Sequence, residues 1–268
     1  MSELTAAQRV KIARTLGRPG TLDFVNALFT DVFVCKGDRL HREDPSIFGA
    51  IARFHGRPVT VLGHRKGRTF EENMKCNFGM PSPEGYRKAQ RLMRQAEKFG
   101  RPIFTFIDTP GAYPGLEARR RPGRGHRLLP VPDELPHCAG DLCGHRRGGQ
   151  RRGAGPGGGN RVLLLENAVY SVLSPEGFAS ILWKDAGRAD EAAGVMKLTA
   201  ADLLRLGVAD QVIPEPEGGA HNDPKAVFAA VDRALTRHLG QLLREKDLSA
   251  HRYQKFRAMG AVLEETET

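Results

Sequence analysis

Cysteine and aromatic side chains are scarce in this chain. Its 268 residues hold 4 cysteines, 1 tryptophan and 4 tyrosines. So few cysteines build no disulfide framework, and reduced thiols fit the cytosol. No run is long and apolar enough to span a bilayer. The stretch from Met1 to Arg9 lacks the apolar region of a secretory signal. The expectation is a cytoplasmic protein with no membrane role. The length is ample for one large core, and a single domain over 1–268 is expected, with a helical C-terminal segment over 221–260.

Acidic residues are outnumbered, and the net charge is +10. The excess is concentrated. Residues 117–160 carry nine arginines against four acids, which is half of the total. The other half is diluted over amphipathic helices, the pattern of solvated faces that attract small anions. No aromatics interleave with the arginines to stack bases, so a nucleic-acid-binding protein is the weaker alternative.

What is present reads as alternating strands and helices, a layered α/β domain. Residues 21–34 suggest a helix. Ile47–Ile51 and Pro58–His64 suggest two strands turning at His55-Gly56. Ser82-Pro-Glu opens a helix whose apolar face is Tyr86, Ala89, Leu92, Met93 and Ala96, ending at Gly100. Ile103–Ile107 is apolar throughout, as a buried parallel strand is. Later strands are expected at Val162–Leu165, Val169–Leu173 and Val208–Ile213. Helices are expected from Ser174-Pro-Glu, near 188–197 and 199–206, and over 224–246.

Asp108-Thr-Pro-Gly-Ala-Tyr-Pro-Gly115 follows the buried strand. Its glycines and prolines fix a loop whose amides can face an oxyanion formed in acyl chemistry; the same composition also makes a plain surface turn. Three longer runs carry more information. They are Asn77-Phe-Gly-Met-Pro-Ser-Pro-Glu-Gly-Tyr-Arg-Lys-Ala89 with Ala96-Glu-Lys-Phe-Gly100, then Asp108 to Gly115, then Glu166 to Lys184. Together with Gly37-Asp-Arg39 and Gly63-His-Arg-Lys-Gly67 they resemble the carboxyltransferase alpha subunit of bacterial acetyl-CoA carboxylase.

That resemblance implies a crotonase-like fold. It also implies transfer of a carboxyl group from carboxybiotin on a carrier protein to acetyl-CoA, giving malonyl-CoA for fatty acid biosynthesis. The chain itself would bind no cofactor, and zinc is expected on the beta subunit only. The implied partners are that beta subunit in an α2β2 enzyme, the biotin carboxyl carrier protein and biotin carboxylase. Two sets of main-chain amides would stabilise two oxyanions, the thioester enolate and the biotin ureido oxygen. Gly111 and Ala112 match the first set. His64, Lys66, Tyr113, Glu176 and Gly177 are the expected substrate-binding positions; His64 and Lys66 also read as a strand-end histidine and a solvated loop. Another biotin-dependent acyl-CoA carboxyltransferase, or a crotonase-family CoA enzyme, is the nearest alternative activity.

Residues 117–160 depart from the family. Where it has a glycine-rich turn opening a helix, this chain has His145 to Ala154, and Arg151 and Arg152 stand in place of oxyanion-hole glycines. Read one base later, the possible codons of 123–158 admit the family pattern, as a compensated frameshift would produce. The segment is expected to be irregular, and the chain as it stands inactive. His137, Cys138, Cys143 and His145 match no common zinc module, so no metal is expected.

Overall fold

In the computed structural model, residues 4–111 and 159–259 are described in full and 140–148 as backbone. Among the described residues seven strands form one sheet in sequence order: β1 (Thr30–Val34), β2 (Ile47–Phe54), β3 (Arg57–His64), β4 (Ile103–Thr109), β5 (Gly140–Gly148), β6 (Arg161–Leu165) and β7 (Gln211–Ile213). β1, β2 and β3 pair antiparallel, whereas β3 through β7 run parallel.

The β2–β3 hairpin turns at His55-Gly56, both left-handed with φ of 47° and 78°. Two consecutive left-handed residues match the twist of the flanking strands, so the turn sets the register Phe54 opposite Arg57. Every residue of β4 is buried. Its alternate side chains serve two faces. Phe104 and Phe106 enter the large core with Phe24 and Phe29, whereas Ile103 joins Leu62, Leu92 and Ala96 on the other side.

The helices cover those two faces. α2 (Thr21–Leu28) and α8 (Pro224–Leu242) close the phenylalanine core, where Phe24 stacks on Phe106 at 5.4 Å. α4 (Pro83–Lys98) starts as its Ser-Pro-Glu signal predicts and covers the opposite face with Leu92 and Ala96. The others are α1 (Ala6–Ala13), α3 (Phe70–Lys75), α5 (Pro175–Trp183), α6 (Ala189–Val195), α7 (Ala200–Arg205) and α9 (Leu248–Ala258).

Four expectations need correction. Residues 21–34 are not one helix: Phe29 leaves it with an extended backbone, and the run Thr30–Val34, rich in strand-forming side chains, becomes a fully exposed edge strand. Val169–Leu173 is not a strand; only an isolated bridge joins Val169 to Thr199. The C-terminal helix stops at Leu242, and the chain turns before α9. Within 117–160, residues 140–148 form β5 instead of an irregular run. β4 and β6 each present a row of unpaired amides and carbonyls toward this position. A strand there satisfies both rows through the backbone, whatever side chains it carries.

Candidate functional site

Because β3 through β7 are parallel, their carboxyl ends lie along one edge of the sheet, where open α/β sheets gather ligands. Three segments meet there: His64-Arg65-Lys66 after β3, Asp108 to Gly111 at the end of β4, and the turn Asn77–Gly79 before α4.

Asp108 is 2% exposed. A carboxylate so buried costs several kcal/mol unless it is paired (on the order of 3 to 5), and Lys66 Nζ forms an ion pair with Asp108 Oδ1. The turn presses on this pair. Asn77, Phe78 and Gly79 are all left-handed, with φ of 45°, 53° and 77°. Such strain in non-glycine residues costs about 1–3 kcal/mol each and gathers at functional sites. A Cβ on Gly79 would lie 2.9 Å from Lys66 Cγ and 3.2 Å from the Asp108 carbonyl oxygen. Gly79 is therefore required twice, by its backbone angle and by close approach.

Beyond Asp108 the loop closes on itself. The Gly111 amide donates to Thr109 Oγ1 at 3.0 Å, and the same hydroxyl donates to the Gly111 carbonyl at 2.9 Å. Gly111 has φ of 143°, which only glycine adopts readily. Ala112, Tyr113, Arg151 and Arg152 lie outside the described residues.

His64 is 2% exposed, and its carbonyl accepts a hydrogen bond from Thr21 Oγ1. It is a strand-end core residue here, not a surface group open to substrate. The α2 start packs against β3 closely because Gly63 lacks a side chain; a Cβ there would lie 2.3 Å from Thr21 Cγ2.

Glu176 and Gly177 sit in the first turn of α5, with Ser174 Oγ accepting from the Gly177 amide at 3.1 Å. Arg14, the residue that ends α1, grips Glu176 with both terminal guanidinium nitrogens. That pairing holds the Glu176 carboxyl down at about 2. Both residues thus fasten α5, Glu176 to α1 and Gly177 to its own cap.

At the ends of β6 and β7 lies an arrangement with no sequence signal. Arg18 forms a two-pronged pair with Glu215 at 2.7 and 2.6 Å, and both side chains are essentially inaccessible, at 1% and 0%. Glu215 also accepts from the Asn167 amide and side chain and from the Ala220 amide. Beside it, a cleft of about 530 Å³ is lined by Arg9, Glu166, Leu204, Arg205, Val212 and Pro214. Among the described residues no group of three or more His, Cys, Asp or Glu is placed to hold a metal. His137 and Cys138 lie outside those residues, and the side chains of Cys143 and His145 are not described. No described helix is long and apolar enough to cross a membrane.

A family described as acetyl co-enzyme A carboxylase carboxyltransferase-like matches residues 1–127 and 148–260. The break falls inside the departing segment. The chain is 49% identical over 258 residues to the acetyl-coenzyme A carboxylase carboxyl transferase subunit alpha of Bacillus velezensis, covering 95% of this chain and 79% of the relative. The Anoxybacillus flavithermus subunit alpha is 48% identical over 267 residues, covering 98% of this chain and 82% of the relative. Among solved structures, transcarboxylase 12S aligns with a TM-score of 0.66 at 16% identity; the match covers 92% of this chain but 46% of the other, so the chain spans about half of that protein. A Pseudomonas malonate decarboxylase heterodimer aligns at 0.60 and 17% identity, covering 82% and 91%. At such identities the structures speak for the fold alone, which is crotonase-like.

Proposed function

The chain belongs to the acetyl co-enzyme A carboxylase carboxyltransferase-like family, and from that premise we propose that it is the alpha subunit of an acetyl-CoA carboxylase carboxyltransferase. It moves a carboxyl group from carboxybiotin to the methyl carbon of acetyl-CoA. The observation that carries the reading is identity at nearly half of the positions over 95% of the chain to proteins so named.

The difficult chemistry is that of biotin; this chain supplies placement and a fixed field. Deprotonation of acetyl-CoA places negative charge on the thioester oxygen. The loop after β4 is where we place the main-chain donors, at Gly111 and Ala112. In the resting arrangement Thr109 Oγ1 occupies the Gly111 amide. A charged oxygen is a stronger acceptor than a neutral hydroxyl by roughly twofold in energy, so an enolate can displace it. Tyr113 follows on the same loop and is assigned to substrate contact.

The second donor set, for the ureido oxygen, is assigned to the region of Arg151 and Arg152. Arginine in place of glycine at these positions is expected to crowd an approach that glycine would leave open. Loss of one oxyanion donor costs about 10²–10³ in kcat, so we expect slow transfer by this chain. The presence of β5 favours slow over absent turnover, since the sheet is continuous through that segment.

The beta subunit is the required partner, in an α2β2 enzyme that carries its zinc on the beta side and receives carboxybiotin from a carrier protein loaded by biotin carboxylase. The test is malonyl-CoA-dependent carboxylation of biocytin by this chain with a beta subunit, in parallel with a chain whose residues 117–160 are replaced by those of a relative. Transfer by the second and slower transfer by the first are expected. An inert second chain in a formed complex refutes the reading. Methylmalonyl-CoA in place of malonyl-CoA as the carboxyl donor in the same assay separates acetyl-CoA enzymes from other acyl-CoA carboxyltransferases.

A further inference from the structure

The sequence places Lys66 among substrate-contacting residues, and its charge suits a CoA phosphate or a carboxylate. The structure gives it other work. Its side chain is 20% exposed and its ammonium pairs with the buried carboxylate of Asp108. Its stem is covered by the Asn77–Gly79 turn, which reaches the Asp108 carbonyl as well. Asp108 stands one residue before Thr109, whose hydroxyl holds Gly111 at both its amide and its carbonyl.

We propose that Lys66 is a positioning residue that sets the main-chain donors of the loop after β4 by anchoring Asp108, with the left-handed Asn77–Gly79 turn as the brace that keeps the pair in place. This rests on the carboxyltransferase reading and names the residues that hold its first oxyanion site.

The physical case has three parts. A buried carboxylate at a strand end is fixed only as well as its counter-charge is fixed. A lysine ammonium on a flexible stem is poorly fixed by itself, and the Gly79 backbone lies so near that an added Cβ would meet Lys66 Cγ at 2.9 Å and Cε at 3.0 Å, which narrows that freedom. An oxyanion donor must sit within a few tenths of an ångström of its place, and a misplacement of about 1 Å costs about 100-fold. Strain in two non-glycine residues beside the loop is the cost of building such a brace.

The test uses the full chain with its beta subunit and the variants Lys66→Met, Lys66→Arg and Asp108→Asn. Two quantities are read: kcat and KM for malonyl-CoA in biocytin carboxylation, and amide hydrogen exchange of residues 105–111 in the alpha chain. Lys66→Met is expected to lower kcat about 100-fold with KM within about twofold, and to speed exchange in 105–111 while the amides of α5 and α9 keep their rates. Asp108→Asn, which keeps the shape and removes the charge, is expected to give the same pattern. Lys66→Arg is expected to recover most of kcat.

A raised KM with kcat retained would make Lys66 a substrate contact and overturn the proposal. Unchanged kcat and unchanged exchange overturn it as well. If the parent chain forms the complex but gives no turnover, the same variants are read in the chain carrying a relative's residues 117–160, whose own inertness refutes the carboxyltransferase reading; exchange then decides the positioning role, and equal rates in 105–111 for parent and Lys66→Met overturn it. If Lys66→Met unfolds, Lys66→Arg and Asp108→Asn carry the same comparison.

Discussion

Replacing Glu215 by alanine removes one half of the most deeply buried ion pair among the described residues. Arg18 and Glu215 have side chains 1% and 0% exposed and share two hydrogen bonds of 2.7 and 2.6 Å. The change leaves the Arg18 guanidinium in the interior without its counter-charge, and strands the Asn167 and Ala220 amides that now donate to Glu215. Breaking a buried pair from one side costs about 3–5 kcal/mol. For a chain of this size that lowers Tm by about 10 °C. Circular dichroism during guanidinium and thermal unfolding at pH 7 reads the loss. The double variant Arg18→Met, Glu215→Met is expected to lose far less than Glu215→Ala, because no charge is left behind. A loss below about 1 kcal/mol for Glu215→Ala, or a double variant worse than the single, refutes the reasoning. The pH dependence has a definite sign. Burial pushes the Glu215 carboxyl up, but Arg18 and Asn167 outweigh it and hold the group below its ordinary range. Its stabilisation is therefore present above the unfolded carboxylate pKa and is lost as pH falls through the lower folded value.

Further changes probe other levels of the structure. Burial pushes the Asp38 carboxyl up, yet the His41 and Leu40 amides and Arg87 bring it down to about 2 from 3.8; Asp38→Asn should cost about 2 kcal/mol at pH 7. The parent chain should lose the same amount between pH 3.8 and about 2, read by acid titration of the unfolding midpoint. Phe106→Ala, which empties the stack on Phe24, should cost about 3–5 kcal/mol in denaturant unfolding. Gly63→Ala should cost about 1–3 kcal/mol by the same measurement, since its Cβ would lie 2.3 Å from Thr21 Cγ2 and 3.2 Å from Phe106 Cβ. Arg151→Gly with Arg152→Gly should raise kcat of the complex without changing KM for the CoA substrate, if side chains at these positions obstruct the second set of donors.

Local signals were legible in the sequence wherever local chemistry decides the structure. The His55-Gly56 turn, the Pro83 start of α4 and the largely apolar run of β4 each act within a few residues and are found where they were expected, although the Ser82 side chain makes no capping hydrogen bond. β1 was not legible because all five of its residues are exposed, so it has no buried face to produce an alternating pattern. β5 was not legible because its strand form is imposed by its neighbours. The loop after β4 could be located from glycine and proline, and its assignment to oxyanion donors came from the resemblance. The long-range ion pairs could not be located: Lys66 with Asp108 is 42 residues apart, Arg14 with Glu176 is 162, and Arg18 with Glu215 is 197. A contact between segments so distant leaves no period or motif in either one. That is why neither the ion pair of Lys66 nor that of Glu176 was read from the sequence.

The most direct test of the account is carboxyl transfer itself, measured with the beta subunit for this chain and for one carrying a relative's residues 117–160. The account predicts malonyl-CoA-dependent carboxylation of biocytin by the exchanged chain, with this chain about 10²–10³ slower. A stable complex in which the exchanged chain transfers no carboxyl group would contradict it.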